Sequence, residues 1–317
     1  MSTKIEWTHA TINPVPGCSP ISTGCVRCYA RRRAARLAGM KSMKGRYGPV
    51  AAWDGTTVLV ESELAKPLRW TRPRMIFVNS MGDLFHESVP FAWIAKVFYA
   101  MAICYWHTFQ VLTKRPERMR EFFEWIERRK CGMWWGTFGV RDAGVFIKWP
   151  LPNVWLGVTV EAPEYLHRVV SLLDCPAAVR FVSAEPLLAG LDFTRIDIPT
   201  SGPGSNTPCA PPSWRRIDSL GGFEGTVDHK GHCVGNGGAR RLDWVIVGCE
   251  TGAGARINER TAALEQQIVH QCARAHVACF VKKWPVLTGG GRWTWSREKD
   301  ILPAWAVRQY PKGVKSV

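Results

Sequence analysis

The 317-residue sequence has no run of about 18 consecutive apolar residues, and Lys4, Glu6 and His9 sit where a secretory leader would need an apolar stretch. A membrane span and an export signal are therefore not expected; a soluble, cytoplasmic protein is. No internal repeat is evident, which argues against a repeat architecture. Acid is in short supply, with 26 Asp and Glu against 42 Lys and Arg and a net charge of +16. The imbalance is local. Residues 1–50 hold nine basic side chains (Lys4, Arg27, Arg31, Arg32, Arg33, Arg36, Lys41, Lys44, Arg46) and a single acid, Glu6, so half the excess lies in under a sixth of the chain. Such a field concentrates polyanions and favours a nucleic-acid or phosphate-bearing partner. The plainer alternative is a solubility feature.

A regular cysteine spacing is also missing. Of eleven cysteines, Cys104, Cys131, Cys175, Cys209, Cys233, Cys249, Cys272 and Cys279 are scattered, several inside apolar runs such as Val277-Ala278-Cys279-Phe280. They read as small buried hydrophobes in a reducing compartment, not as a disulfide framework.

What is present is an alternation of short apolar strands and helices. Strands are expected at Met75–Val78, Thr108–Leu112, Val154–Val158, Val179–Val182, Trp244–Val247 and Ala278–Val281, apolar on both faces as in a helix-covered parallel sheet. Helical patterns fill Phe91–Trp106, Pro116–Lys130, Pro163–Leu173 and Thr261–Ala275. The rhythm predicts an α/β fold with right-handed crossovers. Each strand runs into a chemically rich turn, among them Asn79-Ser80-Met81-Gly82-Asp83, Thr113-Lys114-Arg115 and Ser183-Ala184-Glu185-Pro186. Polar groups gathered at strand C-termini suit a partial or closed (β/α) barrel of TIM type, one domain over residues 1–317. The Pro- and Gly-rich stretch 189–241 reads as a long, partly irregular insertion between two strands. It holds His229, His232, Cys209 and Cys233, candidate zinc ligands whose spacing matches no standard finger. Trp284, Trp293, Trp295 and Trp305 follow the last strand, as packing residues or as stacking platforms for bases.

The densest chemistry lies in Cys18-Ser-Pro-Ile-Ser-Thr-Gly-Cys25-Val-Arg-Cys28-Tyr29, a C-x6-C-x2-C loop running into a helix expected over Arg27–Ala38. Cys25 and Cys28 can aim at one metal centre, and the spacer lets Cys18 wrap to it. Three thiolates with no fourth cysteine or histidine nearby leave a coordination position open, whereas a structural zinc site would close it. The neighbouring arginines and the helix N-terminus favour thiolates. The readings left open are an iron–sulfur cluster, a zinc or non-catalytic metal site, and unligated thiols.

Lys4-Ile5-Glu6-Trp7-Thr8, Asn13-Pro14-Val15, Gly17-Cys18, Gly24-Cys25 and Cys28-Tyr29-Ala30 resemble the three-Cys-motif family of phage and bacterial proteins, which has no defined function and looks like the radical S-adenosylmethionine enzymes. The resemblance continues through Phe77–Glu87, Leu112–Arg118, Trp155–Glu161, Arg180–Leu187, Asp243–Glu250 and Phe280–Trp284. It implies a radical-SAM-like barrel in which Cys18, Cys25 and Cys28 ligate a four-iron four-sulfur cluster and S-adenosylmethionine chelates the remaining iron. It further implies cofactor contacts at Asn79, Ser80, Asp83, Thr159, Glu161, Ser183, Glu185, Gly248 and Glu250. For Asp83, Glu161, Glu185 and Glu250 the alternative is a carboxylate paired with a neighbouring Arg or Lys, such as Lys114, Arg115 or Lys282. His86 reads as a loop support. Arg31, Arg32, Arg33, Arg36, Lys114 and Arg115 are the candidate nucleic-acid contacts. The sequence departs from the commonest radical pattern: the first cysteine gap is six residues, Arg27 precedes the third cysteine where an aromatic is usual, and no Gly-Gly-Glu follows the early strand. The function implied is modification or repair of nucleic acid or a nucleotide by a 5′-deoxyadenosyl radical, with a reductase or an operon-encoded protein as partner. The competing class is a non-catalytic, metal-cluster nucleic-acid-binding protein of phage origin.

Overall fold

The structure, a computed structural model, describes residues 3–128, 149–199, 214–227, 233–237 (backbone only), 240–252, 254–296 and 301–313. The chain forms two compact units, the first comprising Met1–Thr159 with Cys175–Val179, the second Val160–Asp174 with Arg180–Ser316.

In the first unit, β1 (Ala10–Ile12) is followed by helices α1 (Tyr29–Ala38), α2 (Lys44–Tyr47) and α3 (Glu61–Leu64). The βα alternation then begins, with β2 (Met75–Val78), α4 (Phe91–Ile103), β3 (Thr108–Thr113), α5 (Pro116–Glu127) and β4 (Val154–Thr159). These four strands pair in parallel, with Ala10 opposite Ile76, Met75 opposite Thr108 and Phe109 opposite Val154. β2 and β4 are buried at every position, as expected of a sheet covered on both faces. Helix α5 starts on Pro116, whose missing N–H costs nothing in the first turn, and buries Met119, Phe122, Phe123 and Ile126 at helical spacing. These meet α4 in an aromatic core, with the Phe98 and Phe122 rings 5.2 Å apart. Each such ring contributes roughly 2–3 kcal/mol by leaving water. α4 and α5 end at Ile103 and Glu127, a few residues short of the sequence expectation, and residues 129 and 130 lie outside the described set. β1 was not anticipated. Three residues are too few to register as an apolar run, and their pairing to β2 is long-range.

The second unit holds α6 (His167–Asp174), then β5 (Val179–Ala184). Next come β6 (Ile196–Pro199), β7 (Trp214–Asp218), β8 (Phe223–Val227) and β9 (Cys233–Gly237), followed by β10 (Trp244–Gly248), α7 (Glu259–Arg274), β11 (Ala278–Lys283), β12 (Pro285–Leu287) and β13 (Trp293–Trp295). β10 pairs in parallel with β5 and with β11. The parallel strands run β1-β2-β3-β4 in the first unit and β5-β10-β11 in the second, so the expected mixed α/β class with parallel strands is met. The insertion is more regular than its Pro and Gly content suggested. β6–β9 form a four-stranded antiparallel sheet, braced across strands by Arg216 to Asp197 and Arg215 to Glu224. Cys209, His229 and His232 lie outside the described residues, and Cys233 is described only as backbone in β9. Trp284 is buried, while Trp293, Trp295 and Trp305 are half-buried.

Among the described residues no helix is long and apolar enough to cross a membrane, and Cys18, Cys25, Cys28, Cys104, Cys175, Cys249, Cys272 and Cys279 are free thiols.

Helix α7 is capped by Asn258, which accepts the Arg260 N–H while Thr261 returns a bond to the Asn258 backbone. Its buried stripe of Thr261, Glu265, Ile268, Val269 and Cys272 puts one carboxylic acid where a hydrophobe belongs. Both Glu265 oxygens are buried without a hydrogen-bond partner, and the nearby Cys249 N–H is committed to the Lys283 carbonyl. Burial, reinforced by the charge of Glu185, pushes its acid from the ordinary 4.5 up to about 9. The native state therefore keeps a proton that the unfolded chain releases, and stability is lost as pH climbs from about 4.5 towards about 9. Glu265→Met should be more stable than wild type by about 2–3 kcal/mol at pH 7. Urea denaturation at several pH values checks this; the gap should close towards pH 4.

Candidate functional site

The three-cysteine loop is held against the C-terminal ends of β2 and β3 by a dense polar network. Beyond β1 the chain stays beside the turn after β2. Gly17 donates to the Met81 carbonyl, and Gly17 and Gly82 form a further parallel bridge. Only glycine fits here: Gly17 has φ +106°, and a Cβ on it would lie 2.1 Å from the Thr56 carbonyl oxygen. A Cβ on Gly82 would lie 2.5 Å from the Val15 carbonyl oxygen. This close approach sets where Cys18 starts.

Asn79, at φ 69°, clamps the same loop. Its side chain accepts the Val15 N–H at 3.0 Å and donates to the Val15 carbonyl at 2.8 Å. The Asn13 side chain accepts from Ser80 Oγ and from the Met81 N–H, and the Asn13 N–H goes to buried Glu63, which also holds Arg46 and Lys66. Tyr29 caps the arrangement by donating its hydroxyl to the Ser80 carbonyl at 2.7 Å.

Asp83 is the centre of the network. One carboxylate oxygen accepts from the Phe85 N–H and from Thr113 Oγ1 at 2.7 Å; the other accepts from the Lys114 N–H and Arg115 Nη1. Arg115, 4% exposed, also donates through Nε to Glu87 and through Nη2 to the Ser19 carbonyl and hydroxyl. Its Nη1 stands 3.6 Å from Cys18 Sγ, and Lys114 Nζ stands 3.6 Å from Cys25 Sγ and 3.0 Å from Ser22 Oγ.

The thiols are thus placed differently. Burial, aided by the charge of Asp83, pushes Cys18 up to about 12, and Cys25 is among the groups that act on it. At Cys25 burial works the same way, but Lys114 and hydrogen bonds from the Ile21 and Ser22 regions outweigh it and the thiol is held below its ordinary value. Cys28 donates its N–H to the Cys25 carbonyl and sits at the N-cap of α1. Cys18 and Cys28 both pack against the cluster of Ala30, Ala34, Tyr47, Val50, Trp53 and Met81.

His86 braces the loop rather than acting as a base. Its Nδ1 accepts the Ser88 N–H, so the ring proton is on Nε2 and is directed at Ser19 Oγ, 2.8 Å away. Ser19 therefore has no proton acceptor in His86. Burial and Arg115 keep the imidazole pKa below its ordinary value.

Helix α1 begins one residue after Cys28. Arg31, Arg32, Arg33 and Arg36 are exposed on it, while Ala30 and Ala34 are buried. Cys28, Val26, Arg31, Arg32 and Ala35 line one open cleft. Lys114 and Arg115 do not join this face; they are turned to the sulfurs.

In the second unit the remaining acidic candidates are all paired. Glu161 and Arg168 form a buried pair at 2.9 Å, Glu250 accepts three bonds from Arg256, and Glu185 pairs with Lys282. Ser183 and Gly248 lie in the buried ends of β5 and β10, and Thr159, at the end of β4, is buried in the first unit. Sequence reasoning missed Ser19, Ser22, Glu87 and Asn13 as site members. Their types are common in loops, and only proximity to the cysteines marks them.

Among the described residues no three His, Cys, Asp or Glu side chains are gathered tightly enough to hold a single ion. A tetrahedral ion with metal–sulfur bonds of ~2.3 Å needs sulfurs ~3.8 Å apart. A cluster, which offers each thiolate its own iron, needs them further apart. Cation donors already aimed at two sulfurs suit an anionic cluster as well. Three thiols on one loop, two of them faced by cations, are a donor set that an iron–sulfur cluster could use.

Fold and site together define a mixed α/β protein with a cation-braced three-cysteine loop. Residues 2–301 match the family described as "Protein of unknown function (DUF5131)", and the chain belongs to that family. No curated protein and no solved structure matches it.

Replacing Asp83 by Asn removes the charge under Arg115 and two of the acceptor sites. Breaking a buried pair of this kind costs about 3–5 kcal/mol, and a drop of that size in the urea denaturation free energy is expected. Thr113→Val, which deletes the bond to Asp83 and the acceptor of the Arg115 N–H, should lose about 2–3 kcal/mol.

Proposed function

We propose that the chain is an iron–sulfur enzyme of radical S-adenosylmethionine type, built on a (β/α) barrel of that kind, that modifies or repairs nucleic acid or a nucleotide. The observation that carries the reading is the setting of the three thiols: Cys18 and Cys25 face the cations Arg115 and Lys114, and Cys28 opens into a cleft lined by Arg31 and Arg32. Cys18, Cys25 and Cys28 are the residues to hold the cluster. When bound and reduced, such a cluster supplies the electron that cleaves S-adenosylmethionine to methionine and a hydrogen-abstracting 5′-deoxyadenosyl radical.

The chain's own residues supply the rest. Asn79 and Asn13 hold the loop, and Asp83 and Arg115 fix its approach to the strand ends. The exposed arginines of α1 attract phosphates to the side of the loop where Cys28 lies. A reducing cytoplasm, with a reductase as electron donor, is the setting that free thiols and such chemistry require.

The candidate cofactor contacts fit less well. Asp83, Glu161, Glu185, Glu250 and the Asn79 amide are engaged within the protein. They would shape and charge a cofactor site without serving as free ligands, so no step is routed through them. This same engagement favours a second reading, a non-catalytic nucleic-acid-binding protein that uses the cluster for stability or redox sensing.

Anaerobic reconstitution separates the two. The enzyme reading expects a brown protein that forms 5′-deoxyadenosine from S-adenosylmethionine under reductant. Iron uptake without cofactor cleavage would leave only the second reading. Retention of full iron by Cys18→Ala, Cys25→Ala and Cys28→Ala would refute the cluster itself.

The partner is tested by titrating salt against a labelled oligonucleotide. The logarithm of the affinity should fall linearly with log salt, and Arg31→Gln with Arg32→Gln should reduce the slope by about two, one for each lost phosphate contact. An unchanged slope means that α1 does not touch the phosphates.

A further inference from the structure

Lys114 and Arg115 are adjacent residues just past β3, and a basic pair in such a turn reads from sequence as a phosphate contact. The geometry assigns them otherwise. Past the strand end the backbone no longer alternates: Arg115 takes φ −124°, ψ 62° as the N-cap of α5, so both side chains reach the cysteine loop. Lys114 Nζ is directed at Cys25 Sγ and Ser22 Oγ, and Arg115 Nη1 at Cys18 Sγ. Cys25 receives a second polar neighbour in Ser22 Oγ at 3.4 Å.

We propose that Lys114 and Arg115 are positioning residues that donate to the sulfurs of Cys25 and Cys18 and thereby raise the reduction potential of a cluster bound there. The inference rests on the cluster reading of the previous section. N–H groups aimed at a ligating sulfur stabilise the extra negative charge of the reduced state more than that of the oxidised state. Two cations set close to two of three ligands bias that equilibrium towards reduction. The two differ in how they can be probed. Arg115 is locked by Asp83, Glu87 and Ser19, and its removal would disturb the fold. Lys114 meets the loop through Ser22 and Cys25, and its ammonium can be removed with the Asp83 network left intact, since Asp83 accepts from the Lys114 backbone and not from its side chain.

The test uses the full chain, loaded anaerobically with iron and sulfide, and compares wild type with Lys114→Met and Lys114→Arg. Iron per chain is measured by chelation, and the midpoint potential by a titration followed by electron paramagnetic resonance. In Lys114→Met, iron per chain should match wild type. At a fixed poise its reduced-to-oxidised ratio should fall about tenfold, a midpoint about 59 mV lower for a one-electron couple. Lys114→Arg, which keeps a cationic donor, should restore the ratio to within about twofold of wild type. An unchanged midpoint in Lys114→Met overturns the inference while leaving the cluster in place. Loss of oligonucleotide affinity with no shift in midpoint does the same and returns Lys114 to a phosphate-contacting role. A wild-type chain that takes up no iron overturns both the inference and the cluster reading.

Discussion

The Asp83 carboxylate is the constraint on which the first unit's site depends. Both its oxygens are filled, by two backbone N–H groups, the Thr113 hydroxyl and the Arg115 guanidinium. A buried carboxylate is tolerated only when its charge is answered this completely. The answer ties the turn after β2 to the turn after β3, and it sets Arg115 where its remaining donors reach Ser19, Glu87 and Cys18. The cysteine loop inherits its position from that arginine and from the glycine contact at Gly17 and Gly82.

Charge is handled in the same way in the second unit. Glu161 with Arg168, Glu250 with Arg256 and Glu185 with Lys282 cluster near strand ends as matched pairs. Glu265 is the exception, and it stays neutral because nothing compensates it. On α1, Arg31, Arg32, Arg33 and Arg36 carry positive charge to the solvent side of the first unit, where all four are exposed.

Much of the fold was legible because buried parallel strands are unbroken apolar runs: the six strands expected from the sequence all form, most running one or two residues beyond their expected ends. β1 and the antiparallel sheet β6–β9 were not legible. The first is too short, and the second is rich in the Pro and Gly that ordinarily signal loops. It is held by cross-strand pairs such as Arg216 with Asp197, whose partners are 19 residues apart in the chain. The Cys18, Cys25 and Cys28 spacing was plain, as was the amphipathic helix after it. That Lys114 and Arg115 face Cys25 and Cys18 was not legible, because a basic dipeptide carries no mark of what it faces.

The sequence by itself determined the α/β class, the three-cysteine loop and the concentration of positive charge beside it, since these depend on local pattern and composition. Only the tertiary structure decided that the side chains of Lys114 and Arg115 reach the thiols of Cys25 and Cys18, and that the acidic candidates are already partnered. Those outcomes depend on contacts between residues as far apart as Cys18 and Arg115, 97 positions along the chain. Such contacts exist only once strand pairing has brought the turns together.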